Sequence, residues 1–112
     1  MSQALVNRHC VPCHRDTVPY DATKTSELLA PLHGWRYIDN AIECEFHFPD
    51  YYRTMAFVNA VAWLAHQEDH HPQLTVFYQR CIVRYHTHSI GGVSDNDLIC
   101  AAKINMLIES KP

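Results

Sequence analysis

Nine histidines stand in a chain of 112 residues, and five of them fall within one stretch, "HQEDHHPQLTVFYQRCIVRYHTHS": His66, His70, His71, His86 and His88. An unperturbed imidazole titrates near pH 6.5, so it can give or take a proton at neutral pH, and it is also a common metal ligand. Two chemistries are therefore open. Two or three imidazoles around a small molecule could remove one proton and protonate a leaving hydroxyl. Alternatively, three histidines with Asp97 could hold zinc or iron. The spacings repeat no known zinc pattern: His66 and His70 are four apart, but the pair straddles an expected helix end, so no metal is expected.

A blander account of the His70-His71 doublet is that histidine near a helix C-terminus is favoured by the helix dipole. Two features raise the doublet above that account. Pro72 pushes the residue before it out of helical geometry, so the doublet leaves a helix and enters an extended segment. The following hairpin then returns His88 to the doublet's end, because in an antiparallel pair the start of one strand neighbours the end of the next. Asp97 is expected to cap the last helix, three residues after Ser94, and can do so while also serving the site. Cys10 and Cys13 form a C-x-x-C flanked by His9 and His14. The second ligand pair of a zinc knuckle is missing, because Cys44, Cys81 and Cys100 are scattered through expected core elements.

The elements that must position these groups are legible from patterning. Residues 1–20, with Pro12 and Pro19, lack periodicity and are expected to be an irregular arm; residues 21–112 are expected to form one domain. Thr23 is the expected N-cap of a helix through "KTSELLA", stopped near Ala30 by Pro31 and Gly34. "WRYI" and "AIECEFHF" predict a hairpin across Asp39-Asn40, with Ile42, Cys44, Phe46 and Phe48 inward. A long helix follows Asp50, with Tyr51, Met55, Val58, Ala62 and Ala65 on its expected inward face. "LTVFY" and "CIVRYHTH" predict two strands joined around Gln79-Arg80, the second carrying Cys81, Val83, Tyr85 and Thr87 inward and Ile82, Arg84, His86 and His88 outward. Gly91-Gly92 ends that strand, and a last helix runs from "SDND" to about Glu109. Trp35, Trp63 and Tyr85 are expected to be core or interface aromatics. The fold class is α+β: a two-layer sandwich of a four-stranded antiparallel sheet with helices packed on one face.

Bulk properties narrow the partners. The net charge is -3, from 9 Lys+Arg against 12 Asp+Glu, with no basic stripe, so nucleic acid is not expected. No apolar run approaches the roughly 20 residues of a membrane span. The N-terminal stretch has no apolar signal core and the cysteine count is odd, so a reducing cytoplasm is the expected location.

With these residues in view, the sequence resembles the pterin-4a-carbinolamine dehydratase family. The motifs are "HQEDHHP", Tyr78, "THSIGGVSDND", Gly34-Trp35, the run Phe46 to Tyr51, "AFVNAVA" and the N-terminal "CVPC", and they cover the chain from about Cys10 to Ile108. The resemblance implies an enzyme that dehydrates 4a-hydroxytetrahydrobiopterin to quinonoid dihydropterin and water, recycling the pterin of aromatic amino acid hydroxylases. The pterin is the substrate, and no cofactor or metal is implied. It further implies that His70 and His88 act as general acid/base groups, that His71 takes part by binding and orienting the pterin, and that Asp97 supports His88. Pro72, His66 and Thr87 complete the expected substrate-binding set. Homodimers or homotetramers, often joined sheet edge to edge, are implied, with a hydroxylase as a further partner. An alternative is a dimerisation or binding partner of a hydroxylase or transcription factor, with incidental activity. Two positions depart from the family: His66 stands where many members carry Glu, and Leu74 where many carry Trp.

Overall fold

In a half-buried strand successive side chains face opposite sides, and the two central strands of this protein show that alternation cleanly. The computed structural model describes residues 5–14 and 16–109. Its elements are α1 (Ala22–Leu29), β1 (Arg36–Ile38), β2 (Ala41–His47), α2 (Tyr51–Glu68), β3 (Gln73–Val76), β4 (Arg80–Tyr85), a short 3-10 turn (His88–Ile90) and α3 (Asp95–Glu109). The strands form one antiparallel sheet in the order β1-β2-β4-β3, with Ile42 opposite Tyr85 and Cys44 opposite Val83. Cys81, Val83 and Tyr85 of β4 are fully buried beside Ile42 and Cys44 of β2, against Val61 of α2 and Leu98, Ala101 and Ile104 of α3. The other sheet face is polar, with Arg84 paired to Glu43 at 3.0 Å and Arg80 to Glu45 at 3.1 Å. This is the expected α+β two-layer sandwich.

Several local expectations shift. α1 is capped by Asp21, whose carboxylate accepts the Lys24 N–H at 2.8 Å, and not by Thr23, which already lies inside the helix. Both are cap-type residues, but only Asp21 sits in extended backbone just ahead of the first turn. The β1–β2 connection is the two-residue turn Asp39-Asn40, both at positive φ, which suits the twist of a hairpin. α2 follows its N-cap Asp50, whose carboxylate accepts the Arg53 N–H at 2.8 Å. Its buried stripe is Thr54, Phe57, Val61, Leu64, Ala65 and Glu68. The expected face is thus rotated by about one residue: Tyr51 and Ala62 are exposed, and of that set Ala65 alone is buried.

β3 ends at Val76, and Phe77 donates its N–H to the Arg80 carbonyl at 2.8 Å. The turn is therefore Tyr78-Gln79, and Arg80 already belongs to β4. β4 itself ends at Tyr85, so His88 lies in the 3-10 turn beyond the strand. Gly91, at φ +67, closes that turn, and a Cβ on Gly92 would meet Pro19 at 2.6 Å, so the arm packs where only glycine fits. Trp35 and Tyr85 are core residues, Trp35 donating its indole N–H to Asn105 at 2.9 Å; Trp63 is 63% exposed. No helix among the described residues is long and apolar enough to cross a membrane.

Candidate functional site

The site is built at the C-terminal end of α2. Asp69 adopts left-handed backbone (φ 52), its N–H reaching the Ala65 and His66 carbonyls, and the His70 N–H closes onto the Ala65 carbonyl at 3.1 Å. This double closure is the Schellman arrangement, and it reverses the chain sharply. It delivers the His70 ring inward, onto the face of Tyr85, with centroids 5.1 Å apart and planes 22° from parallel. The Tyr85 hydroxyl, kept protonated because burial drives its pKa up, donates to the His70 carbonyl at 3.1 Å. Backbone and ring of His70 are thus both held by one strand residue.

Asp97 arrives from the other side, in the first turn of α3. Its Oδ2 accepts the Ser94 N–H at 2.9 Å and the Thr87 hydroxyl at 2.8 Å; its Oδ1 meets His70 Nε2 at 2.5 Å. The Ser94 hydroxyl accepts the Asn96 N–H at 3.2 Å and meets the Thr87 hydroxyl at 2.5 Å. The capping box expected from Ser94 and Asp97 is present, and the same carboxylate that caps α3 also faces the histidine. Asp97 is fully buried, whereas the His70 side chain is 14% exposed, so the pair is sheltered but the ring has an opening to solvent.

Two opposing effects act on His70. Burial pulls its pKa down, because the charged ring loses hydration; the hydrogen bond to Asp97 and the charge of Asp97 outweigh this, with Cys100 and Asp69 adding to them, and the net shift is upward. With Nε2 donating to Asp97, Nδ1 is the ring atom able to face a substrate: an acceptor when the ring is neutral, a donor when it is protonated.

The structure brings three of the expected residues into contact: His70, Asp97 and Thr87. The resemblance assigns Asp97 to His88, but its carboxylate engages His70. Thr87, two residues beyond the end of β4, stays buried and reaches Asp97, whereas His88 opens the 3-10 turn and is exposed. His88 is exposed, its ring 5.8 Å from that of His86. His71 is exposed next to His70 and Pro72 is half-buried. His66 is also exposed, its ring 6.3 Å from that of Trp63 on the last turns of α2. Tyr85 was expected only as a core aromatic; its place two residues before Thr87, on the same strand face, is the signal that it belongs beside His70. Among the described residues no three His, Cys, Asp or Glu side chains are grouped as metal ligands.

Residues 18–107 match the family model described as pterin 4 alpha carbinolamine dehydratase. A protein of Nitrosomonas eutropha, provisionally named pterin-4-alpha-carbinolamine dehydratase, is 52% identical over 107 residues, covering 95% of each chain. One of the same provisional name from Nitrosospira multiformis is 50% identical over 105 residues, covering 94% of this chain and 93% of its own. Among solved structures, a transcriptional coactivator/pterin dehydratase from Brucella melitensis superposes with a TM-score of 0.75 at 33% identity, covering 80% of this chain and 97% of that one.

Proposed function

The chain belongs to the pterin 4 alpha carbinolamine dehydratase family, and from that premise we propose that it converts 4a-hydroxytetrahydrobiopterin to quinonoid dihydropterin and water by histidine acid/base catalysis. The observation that carries the reading is the His70–Asp97 pair: a sheltered imidazole, held in one orientation, with one ring nitrogen left for a substrate. The carbinolamine carries a nitrogen lone pair beside the departing hydroxyl. Elimination requires a proton on that hydroxyl as the C–O bond breaks, and removal of the proton from the nitrogen as the C=N bond forms. His70, its pKa raised, holds a proton at neutral pH to a greater extent than a free histidine and suits the acid role through Nδ1.

In this reading His88 takes the nitrogen proton, as the second acid/base group, and His71 binds and orients the pterin with Pro72, Thr87 and His66 bordering the site. The product, once reduced by two electrons to the tetrahydropterin, again serves an aromatic amino acid hydroxylase; the enzyme acts in the cytoplasm as a homo-oligomer. General acid/base groups of this kind typically contribute about 10² to 10⁴-fold. The test follows the decay of freshly generated carbinolamine by ultraviolet absorbance. Wild-type protein is expected to accelerate it, with losses in His70→Ala and His88→Ala toward the buffer rate; no acceleration by wild-type protein overturns the reading.

A purely binding role is the second reading, favoured by the description of the Brucella melitensis relative as a coactivator as well as a dehydratase. It requires that a partner co-purify and that both histidine variants leave the partner's function unchanged.

A further inference from the structure

Cys10 and Cys13 lie outside the site, on the N-terminal arm, and Cys10 is not without a partner. Its Sγ lies 3.6 Å from Cys100 Sγ on α3 and 3.5 Å from the Asn96 carbonyl oxygen. The arm around it is pinned on both sides. The Cys10 N–H donates to Glu68 Oε1 at 2.7 Å, and the His9 ring meets Glu68 Oε2 at 2.9 Å. Val11 exchanges two bonds with the Asn96 side chain, donating its N–H at 3.1 Å and accepting through its carbonyl at 2.6 Å. The backbone holds the Cys10 sulfur against Cys100. Cys100 is fully buried, whereas Cys10 is half-buried and can be reached from solvent.

We propose that Cys10 and Cys100 are an oxidisable dithiol, at which a hydroperoxide closes a disulfide that clamps the N-terminal arm to α3. The reaction balances in two steps. The accessible Cys10 sulfur attacks the peroxide O–O bond, becoming a sulfenic acid and releasing water or an alcohol. The Cys100 sulfur then attacks the Cys10 sulfur and displaces hydroxide, which leaves as water with the Cys100 thiol proton. The two thiols lose two electrons and the peroxide gains them. A disulfide needs about 2.05 Å between sulfurs, so an approach of roughly 1.5 Å is required, supplied by the arm and not by the core.

The electrostatics bear on the second step alone. The hydrogen bond between the two thiols pulls Cys100 below the usual thiol range and, with burial, pushes Cys10 above it, so Cys10 meets the peroxide first by its exposure and not by its acidity, and Cys100 is the sulfur poised to attack the oxidised partner. Cys13 competes for Cys10 in sequence, but its sulfur accepts from the Asn96 side-chain amide at 3.6 Å, whereas the Cys10 sulfur meets the Asn96 backbone carbonyl. The dithiol rests on the docking of the arm and is independent of the reaction proposed above.

The experiment treats the intact protein with hydrogen peroxide and counts thiols with a chromogenic disulfide reagent under denaturing conditions. The expected result is a fall from five free thiols to three, and a peptide linking Cys10 to Cys100 by mass spectrometry, both reversed by dithiothreitol. The oxidised protein melts at a higher temperature than the reduced one. Cys13→Ser retains the link and the melting shift; Cys10→Ser, a near-isosteric change at the edge of the core, abolishes both. A Cys10–Cys13 link, a crosslink between chains, or an undiminished thiol count overturns the proposal.

Discussion

His70 experiences burial that disfavours its charge and a buried carboxylate that favours it, and the carboxylate prevails. The sign has a consequence for stability. A histidine whose pKa is raised by folding stabilises the folded state fully below its unfolded value, near 6.5, and that contribution is lost as pH rises through the folded value. Wild-type protein is therefore expected to lose urea resistance from about pH 6.5 upward through this window, while Asp97→Asn, which removes the charge, flattens the slope; equal slopes in the two proteins would refute the pairing. Measuring the slope matters more than the absolute stability, because Asp97→Asn also disturbs the cap of α3. The cap was legible from Ser94 and Asp97 alone, since it depends on a spacing of three. The contact with His70 spans 27 residues and depends on the left-handed turn at Asp69, a conformation that aspartate tolerates but does not specify. His88 is a second case: its exposure beside a buried Thr87 was legible, but the end of β4 at Tyr85 and the 3-10 turn that holds His88 were not.

Among the elements, strand faces were readable and the long helix was not. β2 and β4 carry one apolar side each, so period two had one solution. In α2 the run from Met55 to Ala65 is apolar on most sides, and stripes one residue apart fit almost equally well. The buried stripe also includes Thr54 and Glu68, which no hydrophobic count selects. Thr54 donates its hydroxyl to the Asp50 or Tyr78 carbonyl, each at 3.0 Å. Glu68 is a buried anchor for the arm: burial raises its pKa, but the Cys10 N–H, the His9 ring and Lys103, at 3.7 Å, together bring it below the ordinary carboxylate value. The arm's docking was invisible to periodicity because its polar bonds are single and long-range, and its apolar contacts, from Leu5, Val6 and Cys10, follow no repeat. Glu68→Ala strands the Cys10 N–H and removes the charge partner of Lys103, which keeps its bond to the Val6 carbonyl at 2.8 Å, and a cost of about 1–3 kcal/mol is expected in urea titrations, with faster proteolysis of the arm. The depressed pKa adds that this anchoring is present above about pH 4.3 and lost as pH falls through the lower folded value. If arm cleavage in Glu68→Ala matches wild type, Glu68 is not the anchor.

For the whole molecule, the open edges of the sheet are the feature that bears on assembly. β1 is three residues long, whereas β3 offers four residues followed by Phe77 and Tyr78, which are 39% and 68% exposed. Phe77 points its N–H at Arg80, so by antiparallel alternation Thr75 and Gln73 also face β4, while the N–H groups of Leu74 and Val76 point away from the sheet. Edge-to-edge pairing of two copies, expected from the family resemblance, would use those outward groups. Val76→Pro removes one outward donor and no bond to β4, and proline is tolerated on such an edge. If β3 is the joining edge, light scattering is expected to show wild-type protein as a dimer or larger species, and Val76→Pro shifted toward monomer with its far-ultraviolet circular dichroism retained. An unchanged mass in the variant would move the interface elsewhere. The polar outer sheet face, closed by the Arg84–Glu43 and Arg80–Glu45 pairs, offers no comparable apolar surface. Pairing along β3 would also leave the His70–Asp97 pair intact in each copy, because β3 begins three residues after His70 and its side chains reach neither member of the pair through any bond that holds His70 in place.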